Sequence, residues 1–282
     1  MKKRLKKLLS RILPSEESEC ASNSYDIVGN IAIVRLTEKS EKYRKEIADA
    51  IMEIHKNVKT VLAQTSPVDG EFRTRALKCI GGEARSLTIH VESKCKFLVD
   101  LEKCYFSPRF SHERMRVARQ VANGEIVVNM FAGVGCFSFL IAKHSKPSKV
   151  YSIDVNPAAV QFMRENVRLN GAYGVVVPMI GDSKNIIEKG LQGIADRVLM
   201  PLPEKAFEYL PVALSTLKKT GGLVHYYDFE HAKREDPVEK TRAKVAGKLD
   251  CMNTVIEFPY GGVVRSTGPN WYQVVLDILI RH

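Results

Sequence analysis

From residue 109 onward, short apolar runs alternate strictly with amphipathic ones, and no other feature narrows the fold as far. Ser111–Val121 reads as a helix, Ile126–Phe131 as a strand running into Ala-Gly-Val-Gly, and Cys136–Lys143 as a helix. Lys149–Asp154 is a strand, and Pro157–Asn170 is a helix with proline in its first turn. Val175–Ile180 and Ile194–Met200 are strands, Glu204–Lys219 a helix and Gly222–Tyr227 a strand. A helix over Pro237–Lys248 precedes two last strands, Met252–Phe258 and Tyr272–Ile278. Such β-α alternation requires parallel strands with helices covering both faces. The expected fold is a doubly wound, Rossmann-like α/β sheet.

The preceding stretch has a different rhythm. Ser24–Leu36 alternates and is rich in β-branched residues, so it reads as a strand pair around Gly29-Asn30. Ile47, Ala50, Ile51 and Ile54 share one face of a helix within residues 40–56. Lys59–Ala63, Leu87–Val91 and Cys95–Val99 are further short strands, with a loop at Pro67 and Asp69-Gly70. The expected organisation is a basic tail and linker over residues 1–23, a small α+β domain over 24–108, and the α/β domain over 109–282.

Lys and Arg outnumber Asp and Glu 43 to 32, a formal net charge of +11. That excess points to a polyanionic partner, nucleic acid first, against the plain reading of a basic globular protein. Met1–Leu13, MKKRLKKLLSRIL, lacks the apolar core and cleavage site of a secretory signal. It reads either as a basic amphipathic helix touching RNA or an acidic surface, or as a solvated tail. The six cysteines form no C-x-x-C pair and stand at no metal-ligand spacing with histidine, so free thiols and no metal are expected. No apolar stretch approaches the roughly 18 residues of a membrane span. A monomeric cytoplasmic protein without a membrane partner is expected.

Four constellations in the α/β half carry chemistry. In VVNMFAGVGCFSF, strand, glycine turn and helix follow in order, and Gly133 and Gly135 let backbone amides approach a ligand at the carboxyl edge of the sheet. The third glycine of the dinucleotide fingerprint is missing, and a tight turn without a ligand fits the same residues. In YSIDVNP, Asp154 closes the next strand about twenty residues on, where an acid accepts hydrogen bonds from both ribose hydroxyls of a nucleoside. Its plain alternative is an acid favoured by the following helix N-terminus. In GDSKN, Asp182 either holds an adenine amine or caps the next helix. In MPLPEKAFEYLP, Pro201 and Pro203 bracket Leu202 in a stiff elbow, at a cofactor's reactive end or as a rigid connection.

Taken in order, SPVDGEFRTR (66–75), YFSPRFSHERMRVA (105–118), NMFAGVG, YSIDVNP, ADRVLMPLPEKAFEYLP and GGLVHYYDF (221–229) resemble the archaeal and eukaryotic tRNA (guanine-37) N1-methyltransferases. The related wybutosine-pathway enzymes share that core. The resemblance covers roughly Ser24 to the C-terminus. It implies a class I methyltransferase fold behind a small RNA-binding domain, S-adenosylmethionine as cofactor, and the tRNA anticodon loop as partner. It also implies roles. Phe131, Gly133, Gly135, Asp154, Asp182 and Pro201-Leu202-Pro203 line the cofactor crevice. Arg73 faces guanine O6 and Glu113 is the general base. Arg109, counted with the catalytic set, and Tyr105 hold the flipped nucleotide.

The implied chemistry is coherent. Guanine N1 is a poor nucleophile until its proton leaves, and a carboxylate within hydrogen-bond reach can take it. Charge then grows on O6, where a guanidinium stabilises it. A base in a single-stranded loop is splayed out at low cost. Without the resemblance, Arg73 reads as a solvated turn charge and Glu113 as a helix acid pairing Arg116 or Arg109.

Three departures matter. Pro201-Leu202-Pro203 stands where the family reads Asn-Leu-Pro, which removes an amide and suits a pocket that also takes a tricyclic wyosine precursor. Asn129 stands where an Asp usually ends the first strand, with little loss expected. About twenty residues precede the small domain where many members carry a further one that senses the outer corner of tRNA; the expectation is either weaker checking of the whole tRNA or its partial replacement, electrostatically, by the basic tail. The rival readings are transfer of the cofactor's aminocarboxypropyl group, and a non-catalytic RNA-binding protein that kept the fold.

Overall fold

The computed structural model describes residue 10 and residues 25–250 and 255–281. The tail over Met1–Leu13 apart from Ser10, the linker, and the start of the strand expected from Met252 lie outside these. The chain divides into two compact units, residues 1–109 and 110–282.

The N-terminal unit is built on a four-stranded sheet in the order β1-β2-β3-β4. β1 (Tyr25–Val28) and β2 (Ile31–Arg35) form an antiparallel pair across Gly29-Asn30, with Gly29 at φ +57°. Such a turn demands left-handed backbone, which glycine supplies without strain. A single turn, α1 (Glu38–Glu41), is capped by Thr37. The amphipathic α2 (Arg44–Ile54) then buries Ile47, Ala48, Ala50 and Ile51 against the sheet. That crossover makes β3 (Thr60–Gln64) parallel to β2. β4 (Leu77–Gly82) returns antiparallel to β3. Its Gly81-Gly82 ending hid it from a reading based on alternation. Gly81 sits under Ala48, where a β-carbon would come within 2.6 Å of that methyl. A separate hairpin pairs β5 (Leu87–Glu92) with β6 (Cys95–Asp100).

The C-terminal unit carries a seven-stranded sheet. α3 (Ser111–Gln120) leads into β7 (Ile126–Asn129), α4 (Cys136–His144), β8 (Lys149–Asp154), α5 (Pro157–Asn170) and β9 (Val176–Ile180). Then come α6 (Ser183–Gly190), β10 (Arg197–Met200), α7 (Pro203–Thr216) and β11 (Gly222–His231). α8 (Pro237–Leu249), β12 (Val255–Gly268) and β13 (Trp271–Arg281) complete the unit. The strand order is β12-β13-β11-β10-β7-β8-β9, and the five strands from β11 to β9 run parallel. The order reverses between β7 and β10, and a crevice at the carboxyl ends of the strands follows from that switch. Val128, Ile153, Val198, Met200, Leu210, Tyr226 and Leu276 are among the buried residues of the core under it.

The expectation of parallel strands throughout fails at one edge. β13 is antiparallel to both β11 and β12. No helix separates β12 from β13; the chain turns at Asn270, φ +59°, and a tight turn can join strands only in antiparallel sense. β12 also runs ten residues past Phe258. Pro259 and Gly261-Gly262 read as strand breakers, but β12 is the edge strand, where a missing N–H costs nothing, and a register shift between Glu257 and Tyr260 absorbs the irregularity.

Among the described residues no helix is long and apolar enough to cross a membrane, and no His, Cys, Asp or Glu cluster could hold a metal ion. Among the described residues, Cys79, Cys95, Cys104 and Cys136 form no disulfide.

Candidate active site

At the end of β7 the chain turns through Gly133 (φ +57°) and Gly135 (φ +91°) into α4. A β-carbon on Gly135 would lie 2.4 Å from the Phe139 ring, so glycine here lets α4 close against the sheet. The Gly133 amide donates to Asp154 Oδ2 at 2.6 Å, and the Asn156 amide donates to Oδ1 at 2.9 Å. The two motifs that the sequence placed about twenty residues apart are thus joined directly. Burial raises the Asp154 pKa, and the two amide donors oppose that rise. The helix start itself is capped by Asn156, which accepts from Ala158 and Ala159. Asp154 is therefore freed from the capping role.

Of the two readings of Asp182, the structure shows the helix cap. Its Oδ1 caps α6 by accepting from the Asn185 amide, while Oδ2 accepts from the Tyr209 hydroxyl at 2.5 Å. Tyr209 in turn meets Phe131 edge to face, with ring centroids 5.4 Å apart. Phe131 and Asp182 thus converge through a residue that the sequence reading did not single out. Tyr209 lies on α7, whose N-cap is Leu202 and whose first residue is Pro203. Leu202 O accepts the first helical amides, from Lys205 and Ala206, so the Pro201–Pro203 elbow is a stiff strand-to-helix connection. At the end of β7, Asn129 is fully buried; its amide donates to Ser138 Oγ, and its Oδ1 has no protein partner.

Glu113, in the first turn of α3, is 8% exposed. It pairs with Arg116, one of the two partners expected, and it is not a surface acid. Arg116 Nε donates to Oε2 and NH2 to Oε1, each at 2.8 Å, and the Tyr227 hydroxyl donates to Oε1 at 2.6 Å. The Tyr227 ring lies 6.0 Å from that of Phe137, in the first turn of α4. One side chain therefore ties Glu113 to the helix that follows the glycine turn. Burial and the neighbouring Glu113 carboxylate push the Tyr227 phenol far up, so it stays a donor. His225 and Tyr227 share a face of β11 by the alternation of a strand. GGLVHYYDF carried that parity, but nothing in it named Glu113 as the partner.

In the N-terminal unit, Arg73 sits at φ +52°, left-handed backbone that few non-glycine residues adopt. A small turn holds it there: its amide donates to Gly70 O, and Asp69 bridges Thr74. Its guanidinium lies 5.3 Å from the centre of the Tyr105 ring. Arg73 and Tyr105 are thus brought together. Arg109 is half exposed and donates from Nε to Asp26 Oδ1 at 2.8 Å. An open groove of about 640 Å³ beside Ile27, Gly29, Thr88 and Ile89 contains none of the expected site residues.

The TRM5/TYW2 methyltransferase domain matches residues 88–253, and the TYW2 N-terminal domain matches residues 5–85. The chain is 40% identical over 268 residues, 95% of its length and 78% of the relative's, to the tRNA (guanine(37)-N(1))-methyltransferase Trm5b of Pyrococcus abyssi. It is 41% identical over 256 residues, 90% of its length and 92% of the relative's, to the tRNA 4-demethylwyosine(37)-methyltransferase Taw21 of Saccharolobus solfataricus. The solved complex of aTrm5 with tRNALeu superposes with a TM-score of 0.85 at 32% identity, covering all of this chain and 79% of that one.

Proposed function

The chain belongs to the TRM5/TYW2 methyltransferase family, and from that premise we propose that it transfers the methyl group of S-adenosylmethionine to N1 of guanosine 37 in the anticodon loop of tRNA. We take it to act as a monomer in the cytoplasm. The residues present suit that cofactor. Asp154 and Asp182 stand at or just past the carboxyl ends of adjacent strands. Each keeps carboxylate lone pairs for ribose hydroxyls or an adenine amine. Phe131 and Tyr209 offer apolar ring surface beside Asp182. The orphaned Oδ1 of buried Asn129 is an acceptor left for a donor that a ligand brings.

When bound, S-adenosylmethionine supplies an electrophilic methyl group and departs as a neutral thioether. The rest is the work of this chain. Glu113 accepts the N1 proton, freeing the lone pair that forms the new carbon–nitrogen bond. Arg73 stabilises the charge that gathers on O6. Tyr105 and Arg109 hold the nucleotide, and the net positive charge of the chain favours the tRNA backbone. Pro201, Leu202 and Pro203 fix the wall beside the reacting methyl. The observation that carries this reading is the buried Glu113 carboxylate, oriented by Tyr227 from beside the helix that follows the glycine turn.

A second reading has specific support. Identity to Taw21, 41%, is as high as the 40% to Trm5b, and Pro201 removes the amide of the Asn-Leu-Pro form. The same site then methylates a tricyclic 4-demethylwyosine at position 37, alone or in addition. Incubation with cofactor and either unmodified or 4-demethylwyosine-bearing tRNA, followed by digestion and nucleoside mass analysis, decides. A gain of one CH2 on guanosine supports the first reading, and a gain on the tricycle supports the second. Addition of an aminocarboxypropyl group, or no product with either tRNA, removes both.

A further inference from the structure

Asp277 lies in the middle of β13 and is 2% exposed. It accepts from Arg116 NH1 at 2.6 Å and NH2 at 2.9 Å, from His225 Nδ1 at 2.6 Å and from Gln120 Nε2 at 3.3 Å. Arg116 is therefore shared, one edge on Glu113 and the other on Asp277, with its guanidinium stacked 4.2 Å from the centre of the Tyr260 ring. Behind Asp277 the chain of contacts continues. Arg197 NH1 lies 2.8 Å from His225 Nε2, and Arg197 also pairs with Glu125. A guanidinium can only donate, so His225 Nε2 accepts and Nδ1 carries the proton given to Asp277. Burial keeps this imidazole neutral by lowering its pKa. Burial works to raise the Asp277 carboxyl, but the His225 and Arg116 donors hold it well below the usual carboxylate range. Burial likewise opposes the Arg116 charge, and Glu113 and Asp277 more than restore it.

This arrangement addresses a conflict in the proposed reaction. A carboxylate gripped on both oxygens by a full cation is a poor base. One left without the cation is a stronger base but loses its orientation. With Asp277 opposite, the charges of Arg116 and Asp277 cancel, while the fork still fixes the Glu113 rotamer. When Glu113 takes up a proton and its pull on Arg116 weakens, Asp277 still holds the guanidinium in place.

We propose that Asp277, oriented by His225, is a positioning residue that holds Arg116 and sets the proton affinity of Glu113 through it. The proposal rests on Glu113 being the general base. Among the described residues of the C-terminal unit, Arg116 on its own helix and Tyr227 on β11 face Glu113. Asp277 reaches it through Arg116, with His225, Arg197 and Glu125 behind. Removing Asp277 or Arg116 therefore has opposite electrostatic consequences. Asp277→Asn leaves an uncompensated cation beside Glu113, and Arg116→Gln leaves an uncompensated anion.

The test is the pH dependence of single-turnover methylation of tRNA, with cofactor binding and thermal melting as controls for folding. In Asp277→Asn the acid limb moves to lower pH, and in Arg116→Gln to higher pH, each by about one pH unit or more. Should Arg116→Gln not fold, Arg116→Lys, which keeps a charge but cannot fork, moves the limb upward by less. Limbs that stay in place, or that move in the same direction in both variants, overturn the proposal while leaving Glu113 as the base. Wild-type turnover in Glu113→Gln overturns the base itself, and the proposal with it.

Discussion

The two residues given the most direct chemistry are held in opposite ways. Glu113 is buried on a helix, and each of its carboxylate oxygens has a donor, drawn from α3 and β11. Arg73 stands on a turn closed by two backbone contacts, with left-handed backbone of its own and an aromatic ring beside its guanidinium. A group that must receive a proton at one atom benefits from a fixed rotamer and a controlled electrostatic environment. A cation that stabilises spreading charge on a mobile nucleic acid tolerates a looser mount, and its strained backbone limits the directions it can point.

Breaking the rigid side gives the largest effects. Glu113→Ala is expected to lower turnover by roughly 10² to 10⁴-fold, the range for loss of a general base, checked by single-turnover kinetics with saturating cofactor. Asp277→Ala leaves one edge of Arg116 and the His225 Nδ1–H buried without an acceptor and is expected to cost about 3 to 5 kcal/mol of stability, seen as a lowered denaturation midpoint. Arg73→Ala is expected to slow the chemical step by roughly 10² to 10³-fold while leaving the denaturation midpoint near wild type, because its surroundings are a solvent-side turn. A large loss of stability there would erase the contrast. Tyr227→Phe removes one hydrogen bond to a buried charge and is expected to cost about 1.5 to 3 kcal/mol, read from the same denaturation curves. The smallest effect is with acid. Asp277 has a depressed carboxyl in the folded state, so its contribution is present above the unfolded value of about 3.9 and is lost as pH falls below it. Acid titration of Asp277→Asn should therefore be flatter below about pH 4 than that of the wild type.

How much of this was legible depended on sequence distance. The parallel core was, because each strand and helix announces itself through its own period. So were Gly133 and Asp154, whose hydrogen bond closes a β-α-β unit. The β12–β13 edge was not, because Pro259 and Gly261-Gly262 read as breakers until an edge position excuses them. The Glu113 network was hidden for another reason. Tyr227 lies 114 residues from Glu113, and Asp277 lies 161 from Arg116. On β13, Asp277 looks like a polar interruption in an apolar strand, and its partners exist only once the sheet order is known. The same holds for Tyr209, which reaches Asp182 from α7, the helix after the one that Asp182 caps. Contacts within one β-α-β unit were readable from the sequence, and contacts between residues far apart along the chain were not.

The most direct test is a structure of the protein with tRNA and an unreactive analogue of S-adenosylmethionine. The account predicts the N1 atom of base 37 within about 3 Å of a Glu113 carboxylate oxygen, with the ribose of the analogue on Asp154. A base 37 whose N1 faces another side chain, or an analogue seated away from Asp154, would contradict it.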